Sequence, residues 1–511
     1  MVYLMQRIFE YRLQGGVILD FLNIVMEFMS KAWDMMIQNI QYLNLLLCIA
    51  IVFFERKSPK SVWAWLLLLY FLPVIGFIFY LFLGTDMKKR KMFRIKEVED
   101  HINEAIRQQE HQLKSLKLEE LDTNISSYRD LVLYNLKTSG AVVTGDNDID
   151  ILTDGNEKFE RLIEDIRNAE QFIHIQYYII KNDVLFERIR KELVKKAAEG
   201  VEVRILFDSM GCRTVPHSYW EQLKKEGIQT AEFFPAFFKR LQLRINYRNH
   251  RKIVVIDNKI GYVGGFNIGK EYIGMDDKFG YWRDTHLRIQ GSGILSLHLR
   301  FLLDWNYAAK ENLFGERKYF ATLYPGGRDE CLMQIISSGP DTARQQIRDN
   351  YLQLINKAKE RIYIQTPYFV PDDSVMDALL IAAHSGVEVN VMIPCKPDHP
   401  FVYWATYSYI GDLVMAGANC YTYDNGFLHT KCLSVDGKVF CCGTANMDIR
   451  SFALNFEVNA IVYNEEKAKE MEECFRKDLQ FCTRITKNLY ADRKLYIRIK
   501  EQVCRLMSPV L

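Results

Sequence analysis

Two stretches of the chain carry the same set of reactive side chains. His250-Arg251-Lys252-Ile253-Val254-Val255-Ile256-Asp257 has the pattern H-x-K-x4-D, and His429-Thr430-Lys431-Cys432-Leu433-Ser434-Val435-Asp436 has it again. Each continues in step, with a glycine seven residues past the aspartate (Gly264, Gly443) and an asparagine three residues later (Asn267, Asn446). Two imidazoles and two ammonium groups suit an anionic centre that is attacked and also loses a leaving group, which is what phosphoryl transfer demands. One neutral histidine can attack phosphorus while the other, protonated, hands a proton to the departing alcohol. The lysines and the asparagine amides can hold the charge of the non-bridging oxygens. That chemistry calls for no metal and no cofactor. A single motif could match by chance, but two with the same downstream residues argue for one site in two halves.

Strand periodicity places these side chains. The run after Lys252 is β-branched, so positions i and i+2 share a face, and His250 points the same way as Lys252, as His429 does with Lys431. Asp257 and Asp436 have the opposite parity and open hairpin-turn sequences, Asp257-Asn258-Lys259 and Asp436-Gly437-Lys438, so they read as turn and fold residues of the motif. A second strand then runs into Gly264 or Gly443, where glycine permits close backbone approach. Asp284 and Glu457 stand at matching points beyond, each opening a strand. A carboxylate there can fix the tautomer of an imidazole, or it can be plain surface charge. His174, His286 and His298 read as fold histidines, whereas His399 lies in a polar loop that could meet substrate.

The repetition extends past the motifs. A helix followed by a strand ending in Gln176 recurs before Gln365, and a glycine-initiated strand appears as GVEVRILFD from Gly200 and GVEVNVMIP from Gly386. The offset drifts from 189 residues at the glutamines to 186 at the glycines, 179 at the histidines and 173 at Asp284 and Glu457. Loop insertions in two related domains produce such a drift, and strands alternating with helices predict an α/β sandwich in each. The expected architecture is two pseudo-symmetric α/β halves, residues 125–325 and 326–511, sharing one active site. An extra segment in the first half, Phe233-Phe234-Pro235-Ala236-Phe237-Phe238 followed by Lys239-Arg240, is either a lip for a membrane surface or a core-packing loop.

The N-terminal part is of another kind. Residues 35–54 and 61–83 are almost uncharged, and each is long enough for a bilayer core, which takes roughly 20 apolar residues. They predict a transmembrane helical hairpin, with a possible interfacial helix at 17–29, in an anchor spanning residues 1–93. Basic residues between Lys88 and Lys96 outnumber those of the loop at 55–60, which places the rest of the chain in the cytoplasm and near anionic lipid. Residues 94–124 read as a charged helical linker. Across the chain 66 basic residues face 64 acidic ones, a net charge of +2, which argues against a nucleic-acid binder. Eleven cysteines without zinc-type spacing read as reduced, mostly buried thiols.

These motifs resemble the phospholipase D superfamily, whose signature is H-x-K-x4-D followed by G-x-x-N, usually twice in a chain. The resemblance covers roughly residues 125 to 485. It implies a phosphohistidine intermediate, with His250, Lys252, Asp257, His429, Lys431 and Asp436 as the catalytic set. Asn267, Asn446, Gly264, Gly443, Asp284 and Glu457 would bind phosphate or support the site. By analogy His250 is the nucleophile and His429 the acid/base. The hairpin extends the resemblance to the membrane-anchored phosphatidyltransferases of the superfamily. That implies transfer of a phosphatidyl group between two phosphatidylglycerol molecules with release of glycerol, on anionic membrane lipid and without nucleic acid. Hydrolytic phospholipases D and nucleic-acid phosphodiesterases carry the same residues and stay open as alternatives. Metal-dependent phosphatidyltransferases would need a D-G-x2-A-R motif, which follows neither Asp154-Gly155 nor Asp436-Gly437.

Overall fold

The computed structural model describes residues 38–53, 59–80, 123–235, 247–320, 330–342 and 344–508, with isolated positions between 27 and 35. The N-terminal helices form one compact unit and the described residues from 123 onward belong to another. The basic run from Lys88 to Lys96 and nearly all of the interfacial helix expected at 17–29 and of the 94–124 linker lie outside the described residues.

In the N-terminal unit, residues 38–53 are helical, and helices Pro59–Phe71 and Pro73–Phe79 follow. The stretch expected to cross a membrane as one helix at 61–83 is thus two helices. Pro73 has no N–H to give the carbonyl of Leu69, so the ladder breaks there. Asn44, buried in the neighbouring helix, supplies the missing donor: its amide nitrogen lies 3.1 Å from the Leu69 oxygen and 3.0 Å from that of Pro73. Among the described residues no helix is long and apolar enough to cross a membrane. Ile51, Leu69 and Tyr80 make a small core with Trp65, whose ring meets Tyr80 edge-on. Tyr42, Leu46, Phe53, Trp63, Tyr70 and Phe71 all face outward.

The larger unit contains the same sheet twice. In the first half the strands lie in the order Gln229–Phe233, Glu202–Asp208, Phe172–Tyr177, Ile253–Ile256, Ile260–Gly264, Trp282–Gln290 and Val143–Asp154. The second half repeats it with Asn419–Tyr423, Glu388–Pro394, Arg361–Gln365, Cys432–Val435, Val439–Gly443, Asn455–Val462 and Cys331–Ser338. In each sheet the first three strands are parallel, joined by crossover helices, and the rest run as antiparallel neighbours, giving a mixed α/β sheet. The helices start where the sequence offers caps: Asp154 and Asp183 each accept two backbone N–H groups of the helix they precede, and Asp372 accepts one.

The two halves are not separate bodies. Val143–Asp154 closes the first sheet and also pairs antiparallel with Cys331–Ser338 of the second, so hydrogen bonding runs on from one sheet to the other. A buried cluster that includes Ile253, Leu287, Phe301, Phe440, Phe456 and Val458 draws side chains from both. The helix Thr123–Ser139, at the start of the expected first half, instead sends Tyr128, Leu131, Val132 and Leu136 into the core of the second. Phe233 and Phe234 are buried, against Tyr307 and Phe456, so this part of the phenylalanine segment is core and not a lip. Residues 236–246 lie outside the described residues.

Candidate active site

Each motif histidine follows a two-residue strand that crosses to the opposite half. Arg248–Asn249 pairs parallel with Asn455–Val462, and the His250 N–H donates to Phe456 O at 2.9 Å. Phe427–Leu428 pairs parallel with Trp282–Gln290, and the His429 N–H donates to Arg283 O at 2.7 Å. These crossings set each imidazole against the carboxylate that opens the other half's strand. His250 Nδ1 lies 3.0 Å from both oxygens of Glu457, and His429 Nδ1 lies 2.6 Å from Asp284 Oδ2. An ionised carboxylate only accepts, so both Nδ1 atoms carry a proton and both Nε2 atoms are left for chemistry. The spacing of the motifs does not show that the pairing is crosswise.

All six groups are buried, and their charges are mutually adjusted. Burial lowers the proton affinity of His429 to a pKa of about 4, with Lys431, whose Nζ lies 2.8 Å from its Nδ1, adding to the effect. Burial also lowers His250, although Glu457 opposes the shift. Lys431 acts on His250 and Lys252 on His429, so the two motifs share one electrostatic site. Desolvation brings Lys252 down to about 7 and Lys431 to about 8. Burial would raise both carboxylates, yet Asp284 beside Lys431 and His429, and Glu457 beside His250 and Lys252, stay below their ordinary values.

The remaining motif residues are placed by other demands. Asp257 accepts the backbone N–H groups of Glu170, Gln171 and Phe172 at 2.7–2.8 Å, and Asp436 accepts those of Lys359, Glu360 and Arg361 at 2.9 Å. Both sit at positive φ, 54° and 55°, in the hairpin turns. The carboxylates of Asp257 and Asp436 thus fasten the start of a parallel strand and are not turned to the imidazoles. Gly264 and Gly443 face the strand beside them. A Cβ on Gly264 would lie 2.5 Å from Thr285 O, and one on Gly443 would lie 2.4 Å from Val458 O. Asn267 is engaged within the protein, accepting from Ile179 N at 3.1 Å and donating to Tyr272 OH at 3.0 Å. Asn446 is buried, and its Oδ1 has no hydrogen-bond partner among the described residues.

Two buried aspartates that the motif reading missed brace the site. Asp304 holds Arg251 at 2.6 Å and also accepts from Gln176 and Asn249. Asp478 holds Arg283 at 2.8 Å and accepts from Gln365 at 2.7 Å. They stand 174 residues apart, close to the offset of Asp284 and Glu457, and following the repeat register into the next helix would have found them. Tyr178 meets His250 edge-on, and Trp282 lies beside His429. His174 and His298 form a separate buried pair, 2.9 Å apart, that burial keeps neutral. His399 precedes helix Pro400–Ala416, next to Asp398, which accepts from the hydroxyl of Tyr368.

Comparison with known proteins agrees with this geometry. Residues 162–279 and 351–479 match the family described as cardiolipin synthase, PLD-like domain, and residues 43–84 match the phospholipase D-nuclease N-terminal family. The chain is 47% identical over 470 residues to a cardiolipin synthase of Oceanobacillus iheyensis, covering 92% of this chain and 97% of that one. It is also 47% identical over 475 residues to the major cardiolipin synthase of Bacillus subtilis, again covering 92% and 97%. Among solved structures, the phosphatidylserine synthase of Haemophilus influenzae shares the fold, with a TM-score of 0.57 at 14% identity, covering 76% of this chain and all of that one. With the paired motifs, the doubled sheet and near full-length similarity together, the chain belongs to the phospholipase D-like family of cardiolipin synthases.

Proposed function

We propose that the protein makes cardiolipin by moving a phosphatidyl group from one phosphatidylglycerol to a hydroxyl of a second. The observation that carries this reading is the crosswise pairing of two imidazoles with Glu457 and Asp284 in one electrostatic site. His250 Nε2 attacks the phosphorus of the donor lipid. The P–O bond to glycerol breaks as His429 Nε2–H protonates the leaving oxygen, leaving a phosphohistidine. The acceptor lipid's hydroxyl then gives its proton to His429 Nε2, its oxygen attacks phosphorus, and the P–N bond breaks. His429 suits the acid role because its 2.6 Å bond to Asp284 stabilises an imidazolium. A phosphodiester between Lys252 and Lys431 adds the negative charge that offsets the lowered proton affinity of His429. The two lysines hold the non-bridging oxygens, and Glu457 and Asp284 keep the imidazoles aimed.

Phosphatidylglycerol is a membrane lipid, and the N-terminal unit suits a membrane setting. Its outward side chains Tyr42, Leu46, Phe53, Trp63, Tyr70 and Phe71 are large and apolar, which suits contact with lipid. We read 35–54 and 61–83 as two spans, with the kink at Pro73 inside the second and the catalytic unit on the cytoplasmic side. The test is lipid mass spectrometry on phosphatidylglycerol vesicles. The wild type should yield the four-chain lipid and glycerol, and His250→Ala or His429→Ala should lower that yield by about 10³-fold. Phosphatidic acid as the sole product would identify a hydrolase, and full product from either variant would overturn the assignment.

A further inference from the structure

The helix Leu495–Leu506 packs one face against the chain and turns an apolar face outward. One face is satisfied. Glu501 and Cys504 are buried, Cys504 packing with Ala405 and Val370 and Glu501 accepting both bonds of Arg493 at 2.8 and 3.0 Å. On the other face Leu495, Ile499, Val503 and Leu506 are 73%, 55%, 51% and 83% exposed. At roughly 100° per residue these four, with Tyr496, cover an arc of about 100°. Arg498 lies on one side of that arc and Lys500 on the other. Glu501, the one acidic residue of the helix, is turned inward. An apolar stripe between two cationic edges fits an interfacial helix on an anionic lipid surface.

The helix packs on an element that starts beside the site, where Asp398 acts on Lys431. Lys500 sits over the Trp404 ring, and Arg505 pairs with Asp412 at 2.7 Å, both on helix Pro400–Ala416. That helix begins directly after His399 and exposes Phe401 in its first turn. Val370, in the cluster with Cys504, belongs to a strand paired with Met447–Asp448, the residues that follow Asn446.

We propose that this outward face is a second membrane contact, in which helix Leu495–Leu506 lies in the headgroup layer of an anionic bilayer and turns the site toward lipid. The inference rests on the reading of the substrate as a membrane phospholipid. A protein partner would not call for cations on both edges of the stripe, whereas a negatively charged surface does.

The test uses the full chain with Ile499→Glu/Val503→Glu, and Ile499→Leu/Val503→Leu as control. On phosphatidylglycerol bilayers the glutamate variant should lose about tenfold in turnover while the leucine variant keeps it. With short-chain phosphatidylglycerol below its critical micelle concentration all three should agree, because that substrate needs no surface. In nanodiscs, hydrogen exchange across 495–506 should be slower in phosphatidylglycerol than in phosphatidylcholine, a readout that does not depend on product formation. Equal turnover of wild type and glutamate variant on bilayers would overturn the inference. So would an equal loss on both substrate forms, exchange indifferent to lipid charge, or a wild-type dimer that the glutamates dissociate. Absence of four-chain lipid from the wild type, with exchange still slowed by phosphatidylglycerol, would sink the proposed function and leave the membrane contact supported.

Discussion

Glu457→Gln keeps the side-chain volume but replaces an acceptor-only carboxylate with an amide that can donate, so His250 loses the partner that fixes its Nδ1 proton. We expect kcat to fall by roughly 100-fold or more with little change in Tm, measured on purified protein with phosphatidylglycerol. Asp284→Asn should act in the same way through His429. The lysines add a further loss on the alkaline side of the pH profile, beyond that of the histidine pair. Burial places Lys252 at about 7 and Lys431 at about 8, so each gives up its proton as pH rises through those values, and with it the charge that holds phosphate. A second, steeper fall of kcat/KM is therefore expected between pH 7 and 8 as a property of the lysine pair, and in what activity Lys252→Arg retains that fall should move to higher pH. Stability moves the other way. Above these values the unfolded chain binds more protons than the folded one, so the unfolding free energy rises with pH until ordinary lysines deprotonate.

Among the elements, the hairpin turns that end each motif strand hold the parallel strand beside them. Asp257→Ala would strand three backbone N–H groups and should cost roughly 3 kcal/mol, read by denaturant unfolding, while the folded fraction keeps most of its turnover. Asp436→Ala should behave alike. Their fold role was legible from parity and turn chemistry, because the seven-residue step from histidine to aspartate reverses the face of the strand. The carboxylates at 284 and 457 were legible as imidazole partners from their matching positions, but not which imidazole each serves. That depends on two-residue strands whose sequences, Arg248-Asn249 and Phe427-Leu428, are too short to show a period. Asp304 and Asp478 lie past the motifs, on helices that look unlike in sequence: Asp478 ends a charged helix, where it looks like solvation, and Asp304 is an isolated acid on an apolar one. At 61–83 hydropathy alone indicated one helix, and the proline decided otherwise.

For the molecule as a whole, the doubled sheet folds as one object. A fragment starting at residue 330 lacks Val143–Asp154, the neighbour of its edge strand Cys331–Ser338, and lacks the helix Thr123–Ser139 that completes its core. Expressed alone it should be insoluble or give no cooperative transition in calorimetry, whereas the intact catalytic unit should unfold in a single step. Sequence offsets divide the chain neatly into two because they register similarity, and similarity carries no record of which half a helix leans on. The crosswise pairing of His250 with Glu457 and of His429 with Asp284 also bears on descent. A lone repeat would hold an imidazole with no acid to steady it, so such a protein would work only as a pair of chains. Once fused, neither repeat was free to evolve alone, because a change in one is felt by the histidine of the other.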